Sequence, residues 1–123
     1  MSKILLIEDD IFLQTLYLDL LTAEKYEVTA VSDGEQALQK ILEGNWDLIL
    51  LDVILPKLNA IRIIEEIKKQ DPNKLKQNIV YLTNMDQSDI MDKLKKTGYN
   101  YLTKSKMNPD EFISQIKKYL PNL

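Results

Sequence analysis

The chain has 123 residues, a formal net charge of −3, 45% hydrophobic and 28% charged residues, and neither histidine nor cysteine. That length fits one domain with a proper core, and the slight acidity offers no general attraction to nucleic acid or anionic lipid. Without imidazole or thiol, the chain itself holds no serine–histidine or cysteine–histidine catalytic set and no disulfide, and any metal must be bound by oxygen, which favours magnesium, manganese or calcium.

Residues 3–7 form a short continuous apolar run, which reads as a buried strand. No run approaches the roughly 20 apolar residues of a membrane span, and Met1, Ser2 and Lys3 lead directly into that strand with no room for a signal peptide. The expectation is a cytoplasmic protein with no membrane insertion. From about 10 to 24, Leu13, Leu16, Tyr17, Leu20 and Leu21 recur at helical spacing. Residues 26–31 read as a second strand. Ser32, Asp33 and Gly34 then introduce a helix to about Glu43, with Ala37, Leu38, Ile41 and Leu42 inward, stopped by Gly44 and Asn45.

Residues 47–51 are the most apolar strand and therefore the central one. A helix over 60–69 follows, with Ile63, Ile64 and Ile67 inward and Asp71, Pro72 and Asn73 ending it. Residues 78–82 are a fourth strand. A more polar helix over 86–97 uses Ile90, Met91 and Leu94 and closes at Gly98. Residues 99–103 are a fifth strand. Asn108, Pro109 and Glu111 supply an N-cap, a proline at the first helical position and an acid at the third, for a helix to about Tyr119. Phe112, Ile113, Ile116 and Leu120 are its apolar stripe. Five strand–helix units imply an α/β fold with a parallel sheet covered on both faces, and ligands of such sheets bind beyond the strand C-termini.

The residues at that edge are Glu8 and Asp9 after the first strand, Asp52 after the third, Thr83 after the fourth and Lys104 after the fifth. Carboxylates gathered there repel one another unless a cation joins them. Magnesium held by one or two carboxylates, with positions left for phosphate oxygens, suits phosphoryl chemistry. Lys104 would bind a phosphate oxygen, Thr83 could donate to another, and Asp52 is left as the nucleophile that becomes an aspartyl phosphate.

Glu8-Asp9-Asp10, the segment from Asp52 to Pro56, Leu82-Thr83, and Tyr101 to Lys104 occur in an order and spacing that resemble the receiver domain of two-component response regulators over essentially the whole chain. The resemblance implies a flavodoxin-like, doubly wound five-stranded parallel sheet, (βα)5, in strand order 2-1-3-4-5. It implies that Asp52 accepts a phosphoryl group from the phosphohistidine of a histidine kinase or histidine phosphotransfer protein. Magnesium, or manganese in its place, would be held by Glu8, Asp9, Asp52 and the backbone carbonyl of Ile54. Thr83 and Tyr101 would be the switch pair, acting on a downstream protein target through the fourth helix, fifth strand and fifth helix. The expected organisation is one stand-alone receiver over residues 1–123, without an output domain and not a conventional enzyme.

Three positions depart from the family pattern. Ser105 replaces the proline that normally follows the lysine in a cis peptide, and a trans bond is expected because cis without proline costs roughly 2.5–4 kcal/mol. Ala60 stands where the family has glycine, so Asn59 is expected to take over any left-handed turn. Asn84 replaces a small residue and narrows access to phosphate. Ile54 and Met85, both apolar, should hinder an attacking water and prolong the phosphorylated state. The rival reading is a receiver-like binding module that works without phosphorylation. A phosphatase or phosphotransferase would need a second acid two residues after Asp52, where the chain has Ile54. Tyr99 and Asn100 occupy positions where DNA-binding relatives carry acids for dimer contacts, so a monomer is expected. The lysine clusters at 68–69, 93–96 and 117–118 read as helix-end partners rather than a nucleic-acid surface.

Overall fold

Residues 4–7, 48–51 and 79–82 are buried without a break. A strand sends successive side chains to opposite faces, so such runs need cover on both sides, and the fold provides it. The computed structural model describes residues 2–84 and 88–120. Five parallel strands, β1 (Lys3–Ile7), β2 (Glu27–Val31), β3 (Leu48–Asp52), β4 (Ile79–Thr83) and β5 (Asn100–Thr103), form one sheet in the order β2-β1-β3-β4-β5. The helices are α1 (Ile11–Ala23), α2 (Gly34–Glu43), α3 (Ala60–Gln70), α4 (Ser88–Lys95) and α5 (Pro109–Tyr119), with 3-10 turns at Pro72–Lys76 and Lys104–Lys106. This is the expected flavodoxin-like arrangement. No described helix is long and apolar enough to cross a membrane.

The alternation builds two cores. Leu5, Ile7, Ile49, Leu51 and Tyr81 pack with Ala37, Ile41, Ile63, Ile67 and Leu94 from α2, α3 and α4. Ile4, Leu6, Leu48, Leu50, Val80 and Leu82 pack with Tyr17 and Leu21 of α1 and Phe112 and Ile116 of α5. The Tyr17 and Phe112 rings stack at 4.4 Å, joining α1 to α5. Each fully buried leucine or isoleucine contributes roughly 1.5–3 kcal/mol, so both cores favour the same strand register.

Helix starts follow their caps. Asp33 accepts from the Gln36 amide, and Asn108 and Glu111 form a reciprocal capping box at α5. Gly44 ends α2 at φ 78°. Gly34 is fixed by space: a Cβ there would lie 1.7 Å from the Leu58 carbonyl oxygen, because the β3–α3 loop crosses directly over the start of α2.

Two expectations need correction, and a third cannot be compared. Leu16 is 43% exposed rather than inward. It lies one residue, about 100°, round the helix from buried Tyr17, and apolar residues surround so much of α1 that spacing did not single out its inner face. Asn59 is not left-handed: at φ −78° it is the extended N-cap of α3, and Ala60 is that helix's first residue. The left-handed residue of the loop is Lys57, at φ 69°. The expected start of the fourth helix at Asp86 lies outside the described residues, as does Met85.

Candidate functional site

β3 lies between β1 and β4, so its C-terminal end opens where strand order reverses. Asp52 is the last residue of β3 and is 5% exposed. β1 delivers Glu8 beside it, fully buried, with its backbone N–H donating to the Val31 carbonyl at 3.1 Å. Asp9 follows and is exposed. Asp10 turns away to cap α1, accepting from the Phe12 and Leu13 amides at 2.9 and 3.2 Å. Carboxylate oxygens of Glu8, Asp9 and Asp52 lie within 4.8 Å of one another.

Lys104 closes this cluster from β5. Its Nζ is 2.6 Å from Glu8 Oε1 and 2.9 Å from Asp52 Oδ2, with the side chain 9% exposed. The Lys104–Ser105 peptide is trans, as expected, and the ammonium still reaches Asp52. The Glu8 contact is a close ion pair, in which the ammonium covers the otherwise buried Oε1. Burial first, and then the neighbouring Glu8 carboxyl, push the Asp52 pKa up to about 8 against the opposing pull of Lys104. For Lys104, burial works downward but is outweighed by its bonds to Glu8 and Asp52, so its pKa is raised.

When ionised, three carboxylates facing one ammonium leave two negative charges, the complement of one divalent cation. The donors are all oxygens, so the cluster fits a hard ion such as magnesium.

Ile54 lies beside the acceptor, its N–H donating to Asp52 Oδ1 at 3.3 Å, and the residue is 46% exposed. Thr83 ends β4 and is buried, but its hydroxyl donates to the Asn84 carbonyl at 3.0 Å rather than facing Asp52. Tyr101 lies on β5, outward and 45% exposed, with Lys95 Nζ 5.9 Å from its ring centre. A groove of about 290 Å³, lined by Thr83, Asn84, Met91, Lys95, Tyr101 and Thr103, connects the two. Tyr99 turns inward instead: its ring meets Tyr81 edge-on at 5.9 Å, and its hydroxyl donates to the Leu75 carbonyl. Gln14 is a contributor that sequence reasoning missed. Its amide donates to the Glu8 carbonyl at 2.9 Å, and the only signal for it is a polar side chain one turn into an otherwise apolar helix start.

The chain is 36% identical over 120 residues to the alkaline phosphatase synthesis transcriptional regulatory protein PhoP of Bacillus subtilis, covering 97% of this chain and 48% of that protein. It spans about half, or less, of the length of the first curated regulators it matches. Among solved structures, the chemotaxis response regulator CheY4 of Vibrio cholerae superposes with TM-score 0.83 at 26% identity, covering 98% of this chain and 99% of that one. The receiver domain of sensor histidine kinase PA1611 from Pseudomonas aeruginosa superposes with TM-score 0.82 at 29% identity over 96% of both chains, and carries a magnesium ion in its active-site cleft. The family model described as the response regulator receiver domain matches residues 4–117, and with this fold around it the chain belongs to that family of two-component signalling modules.

Proposed function

We propose that this receiver is a phosphoacceptor whose Asp52 takes a phosphoryl group from a phosphohistidine supplied in trans by a histidine kinase or histidine phosphotransfer protein. The observation that carries this reading is the Lys104 bridge, a buried ammonium 2.9 Å from a strand-end carboxylate that other acids surround. An Asp52 oxygen attacks phosphorus, the phosphorus–nitrogen bond breaks, and the imidazole leaves with the electron pair. Magnesium, or manganese in its place, would be held by Glu8, Asp9, Asp52 and the Ile54 carbonyl and would neutralise phosphoryl oxygens. Lys104 exchanges its contact with Asp52 for one with a phosphoryl oxygen. Thr83 releases the Asn84 carbonyl and donates to another, while Tyr101 turns into the groove between them. Phosphorylation adds close to two negative charges, and the surface formed by α4, β5 and α5 passes that change to a downstream protein.

On this reading the receiver acts as a cytoplasmic monomer and catalyses only its own phosphorylation and dephosphorylation. The rival, a docking module that needs no phosphorylation, drew on Ser105, Ala60 and Asn84. Two of these lose force, since Lys104 reaches Asp52 through a trans peptide and Ala60 begins a regular helix. The test is intact mass after incubation with acetyl phosphate, with and without magnesium, beside Asp52→Asn. One magnesium-dependent phosphoryl adduct, absent from the variant, is the expected result. No adduct with this donor or with phosphorylated kinase would favour the docking module.

A further inference from the structure

We propose that Gln14 is a positioning residue for the acidic loop, holding Glu8 and Asp9 in the geometry that receives the cation. This rests on the reading of the cluster as a magnesium site. The β1–β2 ladder ends at the pair Ile7 and Val31, and α1 begins at Ile11 under its Asp10 cap. Only Glu8 and Asp9 lie between these fixed ends, and both contribute carboxylates to the cluster. The Gln14 Nε2 group donates to the Glu8 carbonyl at 2.9 Å, and its two hydrogens are shared further with the Val31 carbonyl and Ser32 Oγ, each at 3.1 Å.

The Glu8 amide donates to that same Val31 carbonyl at 3.1 Å. Gln14 therefore ties the exit of β1 to the end of β2 from within α1. Because a peptide unit is planar, fixing the Glu8 carbonyl also places the Asp9 nitrogen and the α-carbon from which its carboxylate extends. Among the described residues the Glu8 carbonyl has no other donor. The next amide, of Asp10, donates to Glu8 Oε2 at 3.3 Å, so the same clamp bears on the Glu8 side chain. Gln14 touches none of the carboxylates itself and acts through the backbone.

The experiment compares wild type, Gln14→Met, which keeps length but loses the donor, and Gln14→Arg, which restores donors at similar reach. Magnesium affinity is measured by calorimetry, and amide hydrogen exchange of residues 8–10 is followed in metal-free protein. Gln14→Met is expected to bind magnesium about 10-fold more weakly and to exchange faster at residues 8–10. Its Tm should stay within about 2 °C of wild type, and Gln14→Arg should recover both losses. Wild-type affinity in Gln14→Met overturns the proposal, as does a loss that Gln14→Arg fails to recover. If wild type itself takes up no magnesium, the reading of the metal site fails, and the exchange comparison alone then decides whether Gln14 clamps the loop.

Discussion

Magnesium binding should depend steeply on pH, because the ion needs an ionised Asp52 and the fold resists ionising it. Burial and Glu8 hold the Asp52 pKa at about 8, so at pH 6 roughly 1% of the metal-free protein has the competent carboxylate and at pH 8 about half. The apparent affinity should rise close to 50-fold between these values and then level off. About 0.9 proton should be released per ion bound at pH 7. Calorimetric titration in buffers of different ionisation enthalpy measures both quantities. The sign for stability runs the other way. Because the folded pKa lies above the ordinary carboxylate value of 3.8, the unfolded chain gives up its proton first, and metal-free stability falls as pH rises between the two values. Magnesium should reverse that fall. Asp52→Asn should remove most of the pH slope. An affinity independent of pH from 6 to 8, with no proton release, would refute the placement of Asp52 in a desolvated, acid-flanked site.

Lys104→Met should destabilise the metal-free protein by about 3 kcal/mol, since it leaves two buried carboxyls without their cation; urea unfolding should show most of that loss recovered at saturating magnesium, and an equal loss with and without the ion would count against it. Lys57→Gly should stabilise the fold by about 0.5–1 kcal/mol, because relief of the left-handed backbone exceeds the added flexibility of glycine and the exposed Lys57 pairs with Asp33 and Glu35 contribute little. Chemical denaturation decides that, with destabilisation as the contrary result. Ile54→Asn should shorten the phosphoryl lifetime about 5-fold, a barrier change of roughly 1 kcal/mol, by admitting water beside Asp52; decay of the phosphorylated mass after donor removal is the readout.

The strands were legible because burial on both faces leaves an unbroken apolar run, and Asp52 was legible because a charge ending such a run has few structural roles. The observed β3 and β4 reach one residue further than expected, so Asp52 and Thr83 end their strands rather than follow them. α1 was less legible, since Ile11, Phe12 and Leu16 are apolar yet exposed and obscure the helix phase. Of three consecutive acids, Glu8 and Asp9 were expected at the binding edge and do join the cluster, while Asp10, left out of that expectation, caps α1. Lys57 carries no turn signature, and its positive φ follows from the path of the loop rather than from its own preference. Gln14 was hidden for a related reason: its partners are backbone carbonyls 6 and 17 residues away, and these meet only once the sheet has formed.

The crossing of the β3–α3 loop over Gly34 carries a consequence for variation in this chain. A methyl group there would meet the Leu58 carbonyl, pushing aside the loop that follows the acceptor and loosening the Gly34 amide's bond to the Pro56 carbonyl. In a survey that scored only signalling output, position 34 would therefore be as intolerant as position 52, although it bears no chemistry. Melting temperature would separate the two, because a lost carboxylate leaves the backbone in place whereas a displaced loop does not. Intolerance near this site thus reports shape as well as reactivity, and a residue without a side chain can rank among its strictest requirements.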